Sequence, residues 1–80
     1  MLEVVAVRHL HDFVLWLAFD DGAEGETDLE GELDGTVFTP LRDVAVFSKV
    51  AVNPDLGTIA WPNGADFAPE FLRERIQRAA

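Results

Sequence analysis

The sequence contains no cysteine, which removes disulfide frameworks, thiolate nucleophiles and cysteine-ligated zinc or iron–sulfur sites together. The same absence points to a reducing, cytoplasmic setting. Serine is nearly missing as well: Ser48 is the only one, and no Gly-x-Ser-x-Gly elbow surrounds it. Neither a Gly-x-Gly-x-x-Gly stretch nor a phosphate-binding P-loop occurs. The parts from which nucleotide-dependent or acyl-transfer enzymes are built are therefore lacking, and a non-enzymatic role is the expectation. Long apolar runs are absent too. The longest, Phe13 to Phe19, falls far short of the ~20 residues of a membrane span. Met1 leads straight into the alternating stretch Leu2 to Val7 without a basic leader or cleavage site, so no membrane association is expected.

Basic residues are scarce. Six Lys and Arg stand against fifteen Asp and Glu, a formal charge of −9, and eight of the acids fall between Asp20 and Asp34. Such a surface repels phosphate backbones, which disfavours direct nucleic-acid binding and makes a basic protein or a cation the natural complement. Acidity of this kind also keeps a small protein soluble with no specific partner at all.

Against these absences stand 49% hydrophobic residues, with six Phe and two Trp in 80 residues. That is enough to build one core over residues 1–80 without disulfide, metal or cofactor, and too little chain for two. Leu2 to Val7 alternates as a strand, and His11-Asp12 reads as a turn. Phe13 to Phe19 is apolar on both faces, which suits a central strand. Asp20-Asp21-Gly22 closes a hairpin. Glu24 to Leu29 is acidic and weak, as an edge strand is. Glu30 to Gly35 is short and polar. Leu41, Val44 and Phe47 recur at three-residue spacing, predicting a short helical segment. Lys49 to Val52 and Thr58 to Trp61, around Asn53 to Gly57, read as a second hairpin. Beyond the turn Trp61-Pro62-Asn63-Gly64, Asp66 is placed to cap a helix with Pro69 in its first turn. Ala68, Phe71, Leu72, Ile76 and Ala79 form its apolar stripe, and Glu74 to Arg78 is an i,i+4 pair. The fold expected is α+β: a small, mainly antiparallel sheet of about four to five strands, a short helical segment and a C-terminal amphipathic helix.

Several constellations could carry function. His9 and His11, spaced H-x-H on an extended segment, would present both imidazoles to one side as two metal ligands, although exposed histidines are ordinary at strand ends. The acidic segment fails the EF-hand pattern, because counting from Asp20 puts Gly31 at the twelfth position where a bidentate Glu is required. Asp20, Asp21, Glu24, Glu26 and Asp28, together with Trp61, are candidates for contact with a protein partner. Trp61, Pro62, Asn63, Gly64 and Asp66 equally suit a strand-to-helix connection, as an aromatic plug, a tight turn and a cap. Arg42 is expected in a buried ion pair with a nearby acid. A pocket lined by Arg42, Asp43, Trp61 and Asp66 would instead indicate a degenerate enzyme or accessory subunit.

Phe19-Asp20-Asp21-Gly22, Thr27-Asp28-Leu29, Val37-Phe38-Thr39-Pro40-Leu41-Arg42-Asp43 with Phe47, and Ile59-Ala60-Trp61-Pro62-Asn63-Gly64-Ala65-Asp66 with Pro69 and Leu72 resemble the small bacterial proteins of domain-of-unknown-function family 2442. The resemblance implies the same α+β fold and supplies no activity or catalytic residues. It also implies a context: similar proteins are often encoded beside a second small protein, as toxin and antitoxin pairs are. Some relatives append a helix-turn-helix DNA-binding domain, which this sequence does not contain. Two roles are expected from these readings: an acidic module binding a small basic protein, in the manner of an antitoxin, or a small-ligand or metal sensor using His9, His11 and the acidic segment. The edge strand leaves a homodimer open.

Overall fold

The computed structural model describes residues 1–79, with side chains through Ile76. Its framework is a three-stranded antiparallel meander, β1 (Val4–His11), β2 (Val14–Phe19) and β3 (Glu24–Asp28), with β2 in the centre and β3 at an edge. A second hairpin, β4 (Ala51–Asn53) and β5 (Thr58–Ala60), forms a separate two-stranded sheet against β1. Between them lie 3₁₀ turns at Glu30–Glu32 and Thr39–Arg42 and a single helical turn, α1 (Val44–Phe47). The chain ends its described course in α2 (Pro69–Ala79). The five strands among the described residues are all antiparallel, as expected, but they divide three and two rather than forming one sheet.

Strand periodicity decides where the core sits. In β2, Leu15, Leu17 and Phe19 are buried while Val14, Trp16 and Ala18 are only partly covered, so one face points inward. Leu29, Leu33, Leu41, Phe47, Ile59, Trp61, Leu72 and Ile76 meet that face. A fully buried Leu of this kind contributes about 1.5–3 kcal/mol. The segment read as merely polar, Glu30 to Gly35, is in fact a surface bridge held between Leu29 and Leu33, both completely buried. Two ends of the framework are joined where Val4 N–H donates to Gly57 O at 2.9 Å. Gly57 has φ +68°, and a Cβ there would lie 3.0 Å from Glu3 Cγ, so turn geometry and crowding both demand glycine.

The helix α2 lies along β3. Ile76 packs so closely on Gly25 that a Cβ at position 25 would stand 3.2 Å from the Ile76 Cβ. Arg75 fixes the same contact through its guanidinium, with Nε donating to Thr27 Oγ1 at 3.0 Å, Nη1 to Glu32 at 3.2 Å and Nη2 to Asp28 O at 2.5 Å. Arg73 reaches Asp21 at 3.0 Å. Neither arginine belongs to the apolar stripe of the helix. They act instead as clamps, because the long stem lets the charged end reach a neighbouring element. Leu72 and Ile76 are buried and Phe71 partly so, as the stripe predicts, whereas Ala68 precedes the helix and is exposed. The expected places of Arg78 and Ala79, including the Glu74 to Arg78 pair, lie outside the described side chains.

Candidate functional site

Trp61, Asn63 and Gly64 are engaged by the fold itself. Trp61 is 4% exposed, its indole N–H donates to Phe47 O at 2.8 Å, and its ring packs on Phe47 and Phe67. Asn63 donates to Val37 O and accepts from Ala65 N–H, while Gly64 N–H returns to Trp61 O. Trp61 is therefore withdrawn as a partner contact: the core consumes the side chain that the sequence offered to one. Asp43 caps α1 by accepting from Ala45 N–H at 2.9 Å. Asp66 does not cap α2. The helix begins at Pro69, so Ala68 holds the preceding position, and Asp66 pairs through its backbone with Ala60.

Arg42 does form an ion pair, with Asp34 at 2.6 Å, and its Nε donates to Leu33 O. The pair is not buried, because the two side chains remain 56% and 76% exposed. It serves to tie the acidic segment to the 3₁₀ turn and is worth little as an isolated charge pair. The cleft beside Trp61, about 430 Å³ between the second hairpin and Pro62, is not lined by Arg42, Asp43 or Asp66. The four residues form no shared pocket there.

His9 and His11 are separated by a local irregularity of the strand. His9 pairs with Leu15 and His11 with Val14, so Leu10 is an extra residue in β1. Such a bulge reverses the alternation. His9 turns inward, its ring edge-on to Phe47 at 5.8 Å and its Nε2 on Asp12 O at 2.8 Å, while His11 faces outward beside Asp12. The expected pair of ligands on one side is thereby split between two faces. Among the described residues no group of three His, Asp or Glu is placed to hold a metal ion.

What the strands do bring together is their outer face. Residues directly opposite each other in an antiparallel sheet share a face, and the register sets Ala6, Ala18 and Glu24 in one row, Arg8, Trp16 and Glu26 in the next, and His11, Val14 and Asp28 in the third. Ala6, Val14, Trp16 and Ala18 are partly covered by their neighbours, yet none packs against the core. An apolar centre thus lies open, with carboxylates along one border and Arg8 on the other. Both faces of β2 are apolar, as a central strand suggests, but only one is buried. The sequence signal that identifies the wet face is the run of acids at Glu24, Glu26 and Asp28, which must share it.

The acids are not equivalent. Asp20 accepts from Glu3 N–H and Asp28 from Glu30 N–H, each completing local backbone. Asp21 accepts from Ala23 N–H and from Arg73, and these donors, the amide first, hold its carboxyl below the ordinary aspartate range. Glu24 and Glu26 have no hydrogen-bond or ion-pair partner among the described residues. Since the folded chain binds the Asp21 proton less tightly than the unfolded chain, this residue stabilises the fold above about pH 4, and the contribution fades as pH falls through the lowered value. In urea titrations, Asp21→Asn should be slightly less stable than the parent at neutral pH, and the gap should narrow as the pH falls below the ordinary aspartate range.

The fold and this surface define a small α+β protein built on an antiparallel meander with one open, acid-bordered face. Residues 4–78 match the family described as protein of unknown function, DUF2442, and the chain belongs to that family. Neither a curated protein nor a solved structure matches it. No helix among the described residues is long and apolar enough to cross a membrane.

Proposed function

We propose that the protein is a non-enzymatic interaction module that binds a small basic protein partner, in the manner of the antitoxin half of a pair. The observation that carries this reading is the open sheet face. Trp16 lies half-buried and off the core at its centre, beside two carboxylates, Glu24 and Glu26, that have no partner among the described residues. Aromatic side chains surrounded by complementary charge are the usual anchors of protein interfaces. The net charge of −9 supplies attraction at longer range. The resemblance to proteins encoded beside a second small protein names the first partner to try. The proposal places the encounter in the cytoplasm, a setting compatible with a chain that has no cysteine. A sensor of divalent ions draws no support from histidines turned to opposite faces.

The test is co-expression with the product of the adjacent gene, followed by size-exclusion chromatography. Co-elution is expected at low salt and should weaken at high salt, where exposed charges are screened. Separate elution at low salt would remove this proposal.

A further inference from the structure

We propose that the partner engages by adding an extended, basic strand to the free edge of β3. This deepens the preceding reading and rests on it for the basic character of the partner. The hydrogen-bond pattern leaves that edge unpaired. Phe19 N–H donates to Ala23 O at 2.8 Å and Leu29 N–H to Phe13 O at 2.9 Å. In an antiparallel pair the residues bonded to the neighbour alternate, so Ala23, Gly25, Thr27 and Leu29 direct their main chain toward β2. Glu24, Glu26 and Asp28 direct theirs away from the sheet. Arg75 takes the Asp28 carbonyl, while both groups of Glu24 and Glu26 and the N–H of Asp28 have no strand beside them among the described residues.

An open cleft of about 470 Å³ runs along the same strand, bordered by His11 and Val14 on the outer face and by Ile76 of α2 on the inner one. Strand addition uses main-chain bonds for affinity and alternate side chains for choice. A residue bonded opposite Glu24, Glu26 or Asp28 shares their face, and lysine or arginine there meets a carboxylate. The intervening residues turn toward Ile76 and Thr27, where small apolar side chains fit. The preferred segment therefore alternates basic with aliphatic residues. A second copy of this chain is a poor occupant, because antiparallel pairing of β3 with itself sets the three acids against one another.

The test uses the ¹⁵N-labelled full chain at low salt and a seven-residue blocked peptide of alternating Lys and Val, beside a twin N-methylated at its lysines. Methylation keeps the charge and removes the donors that would face β3. Expected are slowed exchange of the Glu24, Glu26 and Asp28 amides with the first peptide and at least about tenfold weaker binding of the twin, the loss of more than one net hydrogen bond. Glu26→Pro, tolerable at an edge where the N–H faces outward, should weaken the first peptide similarly. Equal binding of both peptides, with shifts confined to Trp16 and Ala18, would overturn strand addition and leave the basic-partner reading standing. Failure of both peptides to bind would overturn strand addition, and the co-elution experiment decides the broader reading separately. Concentration-dependent dimers protecting the same amides without peptide would assign the edge to a second copy and overturn the proposal as well.

Discussion

Trp61→Ala is expected to remove a large share of the chain's folding stability, whereas Trp16→Ala should fold and melt close to the parent. Trp61 lies in the core, 4% exposed, between Phe47 and Phe67, with its indole N–H on the Phe47 carbonyl. Truncating a buried Trp costs about 3–5 kcal/mol. A domain of this length has roughly 4–12 kcal/mol in total at typical stability per residue. Trp61→Phe keeps much of the volume but takes the indole donor from the Phe47 carbonyl, leaving it the 3.3 Å bond from Val50 N–H, for an expected loss of about 0.5–1.5 kcal/mol from the hydrogen bond. Trp16 lacks any such setting, and its removal forfeits only cross-strand contacts with Arg8 and Glu26, about 1 kcal/mol or less. Urea titrations followed by far-ultraviolet circular dichroism separate the two cases. If Trp16→Ala proved as damaging as Trp61→Ala, the outer face would not be open in solution. The folded Trp16→Ala chain should then fail to retain the partner that the parent co-elutes with.

Phe47→Ala should be the second severe substitution, again costing about 3–5 kcal/mol. The ring is fully buried and meets three others, His9, Phe13 and Trp61, at centroid distances of 5.8, 5.3 and 5.5 Å. Those contacts join β1, the β1–β2 turn and the end of β5 through a helical turn of only four residues. So short a helix has no stability of its own. Phe47→Leu keeps the site apolar and partly filled, and should retain most of the stability that Phe47→Ala loses. An equal loss in the two variants, read from urea midpoints, would mean that the aromatic contacts rather than buried volume hold α1 in place.

Most of the framework was legible because each element follows one local rule. The apolar run of β2, the Gly22 and Gly57 turns and the 3.6-residue stripe through Leu72 and Ile76 each require only neighbouring residues to be read. What escaped depended on pairing. H-x-H puts two imidazoles on one side only in a regular strand, and nothing in Arg8-His9-Leu10-His11 announces that Leu10 is the extra residue. Trp61 and Trp16 look alike as isolated aromatics in sequence, and only the rows opposite them tell which is wet. Leu29 and Leu33 could have been recognised as anchors from their spacing across an acidic bridge. The reach of Arg75 could not, because its acceptors on Thr27, Asp28 and Glu32 are local neighbours of one another and distant from it in the chain.

That distance has a kinetic meaning. The bonds from α2 to the first sheet join residues 43 to 52 positions apart in sequence, while the meander itself closes through short turns. Chain entropy must be surrendered before contacts of such separation begin to reward it, and proteins dominated by them fold on millisecond to second rather than microsecond timescales. The three strands can form early, but β3 gains its clamp only when the helix arrives. Until that docking step the acidic strand has two unguarded sides, and its charge is what keeps the waiting chain from pairing with its neighbours.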